Sequence, residues 1–156
     1  MLVALTLGIA ITGATRLAAQ LGIVSAATTT MEPTVQPGDR LVYWKHGGIR
    51  RGDLVLLSVQ VTRTARELVI RRVIGLPGDR VACCNAQGLI TVDGRALHES
   101  YLYPGDAPAA AKFSVSLAAG RYWLMDDQPT DALDSRILGP AAAQAIAGPG
   151  GRHLAR

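Results

Sequence analysis

Aromatic residues are scarce in this 156-residue chain, with one Phe, two Trp and four Tyr. Nucleic-acid binding needs basic residues clustered with rings on which bases can stack. Here the basic residues stand singly or in pairs, so no nucleic-acid partner is expected. Lysine is rarer still: Lys45 and Lys112 stand against fourteen arginines. Lys45, beside "HGG", reads as a solvated turn residue, and Lys112 lies in the Ala-rich "PAAAKF". Cysteine is confined to the adjacent pair Cys83 and Cys84. Neighbours cannot staple distant parts of a fold, and a bond between them would close a small strained ring. They are read as two small part-buried residues, with a vicinal redox pair as the alternative. His46, His98 and His153 are isolated, which leaves no metal-ligand spacing; no metal and no cofactor are expected. A chain this short holds one domain, which excludes a second catalytic one.

What is present is apolar. From Leu2 to Met31 the only charge is Arg16. A spanning helix needs about 20 mostly apolar residues, and Leu2 to Thr15 falls short unless Arg16 snorkels towards an interface. A membrane anchor is favoured over a cleaved signal peptide, because no basic stretch precedes the run. The expected organisation is an anchor and connecting segment over 1–27 and a β domain over 28–156. The net charge of +4 suits a surface facing anionic lipid. Beyond Thr34, "DRLVYW", "DLVLLSV", "ELVIRRVIG", "LITVDG" and "RYWLMDD" read as short strands, separated by turns such as "QPGD", "LPGD", "VDGR" and "YPGD". The fold class is therefore mainly β, with antiparallel sheets and an N-terminal apolar anchor helix. The Ala-rich "GPAAAQAIAG" reads as a short turn or loop between its Pro and Gly brackets.

An apolar N-terminal run is followed in order by "TTTMEPTVQPGDRLV", "RRGDLVLL", "LVIRRVIGLPGDRV", "ITVDGRALHESYL" and "YWLMDDQPTDALDSRILGP". This series resembles the type I signal peptidases over roughly residues 10–147. The resemblance implies the β fold of that family and a single-pass, membrane-anchored serine endopeptidase whose β domain lies outside the cytoplasm. It also implies membrane lipid as a partner, and as substrates preproteins whose signal peptides are cut after small residues. In that family a neutral lysine takes the proton of a serine.

By position, the serine of the family's S-M-x-P-T box falls on Thr30 and the lysine on Arg71. The hydroxyl that helps form the oxyanion hole falls on Thr28. The family's last box, G-D-N-R-D-N-S-x-D-S-R, reads here "DDQPTDALDSR", Asp126 to Arg136. Its supporting serine falls on Ala132. Asp127, Asp134, Ser135 and Arg136 match, and Arg72 matches the arginine that pairs with the first aspartate of that box.

A threonine hydroxyl can attack a carbonyl, although its methyl group restricts χ1. A guanidinium, with a pKa above about 12, stays protonated and cannot act as general base, although it can bind a carboxylate. The chain is therefore expected to be impaired or inactive as an ordinary dyad enzyme. It would still hold extended small-residue peptides by strand addition, and it would serve as partner or regulator of an active paralogue. The rival readings are an active peptidase with Thr30 as nucleophile and another base, and a threonine protease using its own α-amine after cleavage before Thr30. Self-cleaving repressor domains fit less well, since they carry a DNA-binding domain in place of an apolar run. Asp126 and Asp127 resemble an acid–base carboxylate pair, but neighbours on a strand face opposite ways, so an ion-pair role for Asp127 is the better reading.

Overall fold

The computed structural model describes residues 20–102, 107–128 and 133–154, the last four by their backbone only. Eleven strands are seen among them: β1 (Leu21–Ser25), β2 (Arg40–Trp44), β3 (Leu54–Gln60), β4 (Arg66–Gly75), β5 (Arg80–Cys83), β6 (Thr91–Val92), β7 (Arg95–Ala96), β8 (Phe113–Ser116), β9 (Arg121–Met125), β10 (Ala141–Ala142) and β11 (Ile146–Leu154). One helical turn, α1, spans Ser135–Leu138. The strands form a seven-stranded sheet, β1-β2-β11-β3-β4-β9-β10, and a four-stranded sheet, β7-β6-β5-β8. Every pairing is antiparallel. Among the described residues no helix is long and apolar enough to cross a membrane. The apolar run over 2–15 lies outside them, as does Ala132.

The Val/Leu/Ile runs bounded by Pro-Gly-Asp turns become β2, β3, β4 and β9 because β-branched and large apolar side chains pack on a pleated, half-buried surface. Two segments depart from expectation. Residues 21–25, grouped from composition with the connecting segment, form β1 and pair with β2 from Leu21↔Trp44 to Ser25↔Arg40. The Ala-rich segment is not a simple loop: β10, a 3-10 turn over 143–145 and the start of β11 follow one another. β11 lies inside the large sheet although its sequence, "IAGPGGRHL", carries Pro and three Gly. It pairs with β3 through Pro149↔Val55 and with β2 from Gly150↔Tyr43 onward, so Pro149 sits where the strand changes partner. A missing N–H is tolerated at such an irregularity. Gly148 is required there, since a Cβ would lie 1.7 Å from the Trp44 carbonyl oxygen.

Cys83 and Cys84 are also corrected, being joined as a disulfide. The chain leaves β5 between them, so strand alternation no longer sends the two side chains to opposite faces.

Three apolar clusters fix the frame. Ala26, Met31, Val35, Leu41, Leu56 and Ile70 lie under the loop after β1. Val55, Val73 and Leu124 tie β3, β4 and β9 together. Ile74, Val81, Ile90, Leu117, Trp123 and Met125 join the small sheet to the large one. Burying a side chain such as Met31 or Val35 contributes about 1.5–3 kcal/mol, enough to pin a loop otherwise held by turns. Gly75 closes β4 where the sheets meet, and a Cβ there would lie 2.5 Å from Val81 Cγ2 and 2.6 Å from Leu117 Cδ1. Gly75→Ala is therefore expected to lower unfolding free energy by about 1–3 kcal/mol in denaturant titration. An unchanged midpoint would show that this junction is slack.

Candidate active site

Thr28 and Thr30 stand on the loop between β1 and β2. That loop is held below by Met31 and Val35, 2% and 0% exposed. It is tied to itself by the Val35 N–H on the Met31 carbonyl at 2.8 Å. A second tie crosses the fold, where the Gln128 N–H donates to the Thr30 carbonyl at 3.0 Å. The Thr28 and Thr30 hydroxyl oxygens are 3.1 Å apart and share a hydrogen bond. A groove of about 80 Å³ runs past them, walled by Ser25, Ala26, Ala27 and Met31 on one side and by Glu67, Leu68, Val69 and Ile70 of β4 on the other.

β4 presents its two arginines to opposite sides, and each meets an aspartate just beyond β9. Arg72 Nε and Nη2 donate to Asp127 Oδ1 and Oδ2 at 2.7 and 2.6 Å. Arg72 also donates to the Gly52 carbonyl at 2.9 Å and to the Thr34 hydroxyl at 3.0 Å, and Thr34 in turn donates to Asp127. The Tyr101 ring lies 4.1 Å from the Arg72 guanidinium, a cation–π contact. Burial and the neighbouring Glu99 raise the Tyr101 hydroxyl above its ordinary pKa, so it stays neutral on that face.

Arg71 lies with its Nη1 2.7 Å from Asp126 Oδ1. The same Nη1 donates to its neighbour's carbonyl, Ile70, at 2.8 Å, and Nη2 reaches the Leu133 carbonyl at 3.4 Å. The contact with Asp126 is close but off-axis, and neither oxygen of that carboxylate has an aligned donor. Burial pushes Asp126 up to about 6 from 3.8. Arg71 opposes that rise, Asp134 adds to it, and the adjacent Thr30 hydroxyl and Arg136 oppose it. Arg71 was expected to be able to bind a carboxylate, and Asp126 is the one it binds.

Asp134, Ser135 and Arg136 hold this end of β9 in place. Asp134 caps α1 by accepting from the Arg136 N–H at 2.9 Å and accepts from the Asp126 N–H at 2.8 Å. The Arg136 guanidinium forks onto Asp134 and donates to the Pro108 carbonyl at 2.7 Å. Ser135 Oγ accepts from the Leu124 N–H at 2.9 Å. The matching residues of the last box are thus the ones that carry the backbone, and the Asp126 carboxylate hangs from them.

Sequence reasoning missed Asp126 because it weighed that residue only against Asp127. A signal was available: Asp126 stands where the family's last box begins with Gly, and Arg71 stands where an earlier box has the family's Lys. A new acid and a stronger cation, one at each of two family positions, mark a pair of changes that fit one another.

The family model described as signal peptidase, peptidase S26, matches residues 1–151. A probable signal peptidase I-2 of Synechocystis sp. is 32% identical over 120 residues, covering 72% of this chain and 53% of the relative. Signal peptidase I U of Bacillus subtilis is 30% identical over 120 residues, covering 69% and 61%. A probable signal peptidase I of Mycobacterium leprae is 35% identical over 125 residues, covering 65% and 43%. The chain spans about half the length of these curated relatives. The crystal structure of a signal peptidase I from Enterococcus faecalis superposes with a TM-score of 0.53 at 19% identity, covering 66% of this chain and 97% of that one, which shows a shared fold.

Proposed function

The chain belongs to the signal peptidase family, peptidase S26, and we propose that it receives extended, small-residue segments of signal-peptide type in the groove beside Thr30 while lacking ordinary Ser–Lys chemistry. The observation that carries this reading is the open edge of β4. β4 pairs with β3 from Arg66 to Arg72 but with β9 only from Arg72 to Gly75. Over 66–71 its second edge has no strand partner among the described residues, and that stretch runs along the groove that holds Thr30. An extended peptide added there gains main-chain hydrogen bonds, and alternate side chains fall into a groove with room for alanine-sized groups.

Impairment follows from Arg71. A guanidinium cannot take the Thr30 proton, and losing one member of a nucleophile–base unit costs several powers of ten in rate. The apolar run over 2–15 supports a membrane anchor, with the β domain on the extracytoplasmic side. Exposed Leu133, Ile137 and Leu138, the last two on α1, support contact with lipid. A slow peptidase that holds such segments would also serve as partner to an active paralogue.

The reading is tested with labelled peptides that carry Ala at the two positions flanking one residue before the cut, beside versions with Phe there. Fluorescence anisotropy on the full chain in vesicles should show the Ala peptide bound at least about tenfold more tightly. Cleavage should run at least about a thousandfold below a Ser–Lys family member assayed alongside. Equal binding of both peptides removes the groove, and equal rates remove the impairment.

A further inference from the structure

Three aspartates are buried around the end of β9, and they differ in what their oxygens do. Asp127 has both oxygens engaged, Oδ1 by Arg72 and Oδ2 by Arg72 and Thr34. Asp134 is saturated by the Arg136 fork and by two backbone N–H groups. Asp126 is 1% exposed and has neither oxygen engaged by an aligned donor. A carboxylate with both oxygens held by aligned donors resists a proton, whereas one with neither oxygen so held, beside a hydroxyl, can take one. The hydroxyl beside Asp126 is that of Thr30, whose carbonyl accepts from the Gln128 N–H, two residues beyond Asp126, at 3.0 Å.

We propose that Asp126 is the proton acceptor for Thr30, a catalytic residue in place of the family's lysine, and that Arg71 is the residue that positions it. This rests on the reading of Thr30 as the nucleophile position in a peptide groove, and it supplies the base that reading lacks. Arg71, unable to accept a proton, sits 2.7 Å from Asp126 Oδ1 and is itself held by the Ile70 and Leu133 carbonyls. Thr28, 3.1 Å from the Thr30 oxygen on the open side, orients the hydroxyl. Burial in this setting also brings the carboxylate towards the range in which a general base works near neutrality.

The steps balance within the chain and one water. As Thr30 Oγ1 bonds to the peptide carbonyl carbon, its proton passes to Asp126 and the carbonyl π pair moves onto oxygen. Collapse breaks the C–N bond, and the Asp126 carboxylic acid protonates the leaving amine, which leaves an ester on Thr30. A water molecule then gives its proton to the Asp126 carboxylate as its oxygen adds to the ester. Thr30 Oγ1 departs, taking that proton back.

The test is the pH–rate profile of the full chain in vesicles on the labelled Ala peptide, with peptide binding measured in parallel. The charged groups facing Asp126 are Arg71 from β4 and Asp134 and Arg136 at α1. Asp126 is raised to about 6, so the profile should rise through a limb at about pH 6. Asp126→Asn should remove that limb and lower kcat by about 100-fold or more at unchanged KM, as expected for loss of a general base. Asp126→Glu should retain a limb at a lower rate. Thr30→Ala should abolish cleavage, and mass spectrometry should find the trapped acyl group on Thr30. Thermal unfolding checks that each variant is folded, and the profile of the unsubstituted chain decides the matter if Asp126→Asn is not. Cleavage that needs Thr30 but keeps its rate in folded Asp126→Asn, or lacks the limb, overturns the proposal and leaves the groove reading intact. Binding without any cleavage does the same. Absence of selective binding overturns the groove reading itself.

Discussion

Thr30→Ser together with Arg71→Lys is expected to leave hydrolysis within about tenfold of the unsubstituted chain. Adding Asp126→Gly to that pair is expected to raise it by about a further 100-fold. The double variant restores the two named members of the family dyad, yet it sets the new lysine against a buried carboxylate. An opposite charge at this range moves a pKa by about 1–3 units, here towards the ammonium, and each unit removes nine-tenths of the neutral amine that a dyad needs. Burial alone would push the lysine the other way, which is how a neutral amine arises. Asp126 therefore decides which effect wins.

Asp126→Gly removes that charge and restores the glycine with which the family's last box opens. The triple variant still has Ala132 where the family has its supporting hydroxyl, so it should fall short of a full Ser–Lys member. Single-turnover cleavage of a labelled precursor in vesicles reads the difference. The pH limb should shift as well, from the position set by Asp126 to one set by the lysine. A double variant as fast as the triple one would mean that the carboxylate has no hold on position 71.

The parts of this fold that were legible from sequence are those whose causes are local. "ELVIRRVIGLPGD" carries its own strand propensity and its own turn chemistry, and it becomes β4 with the turn that follows it. β11 was not legible, because what makes "IAGPGG" a strand is the slot between β2 and β3, more than 80 residues earlier in the chain. Only the close approach of Trp44 explains why Gly148 stands there. β1 was hidden in an apolar run whose composition equally suits an anchor. At the site, the Arg72–Asp127 pairing was readable because both residues match a quoted motif. The Arg71–Asp126 contact joins two departures from that motif 55 positions apart, and residue-by-residue comparison treats each as a separate loss. In space the two changes lie together around Thr30.

Asp127→Ala is expected to lower unfolding free energy by about 3–5 kcal/mol, the largest single-residue loss foreseen in this chain, because it leaves a buried guanidinium without its counter-charge. The Arg72 side chain is 10% exposed and Asp127 is 0% exposed, so water cannot take over for either. The remaining contacts of Arg72, to the Gly52 carbonyl, the Thr34 hydroxyl and the Tyr101 ring, orient the cation without neutralising it. Domains of this size are stable by only about 5–15 kcal/mol, so the variant should lose a large share of its stability. The paired change Arg72→Met with Asp127→Leu should cost less than Asp127→Ala, since removing both charges leaves nothing unpaired in the interior. It should nevertheless weaken binding of the Ala peptide. Thr34 then loses both partners that tie the Thr30 loop to β4 and β9, and the groove loses one of its fixed walls. Denaturant titration of the two variants checks the order of stabilities, and anisotropy on the paired variant checks the loop. If Asp127→Ala loses less than about 1 kcal/mol, the pair is solvated and the loop is held by Met31, Val35 and the Gln128 N–H bond to Thr30.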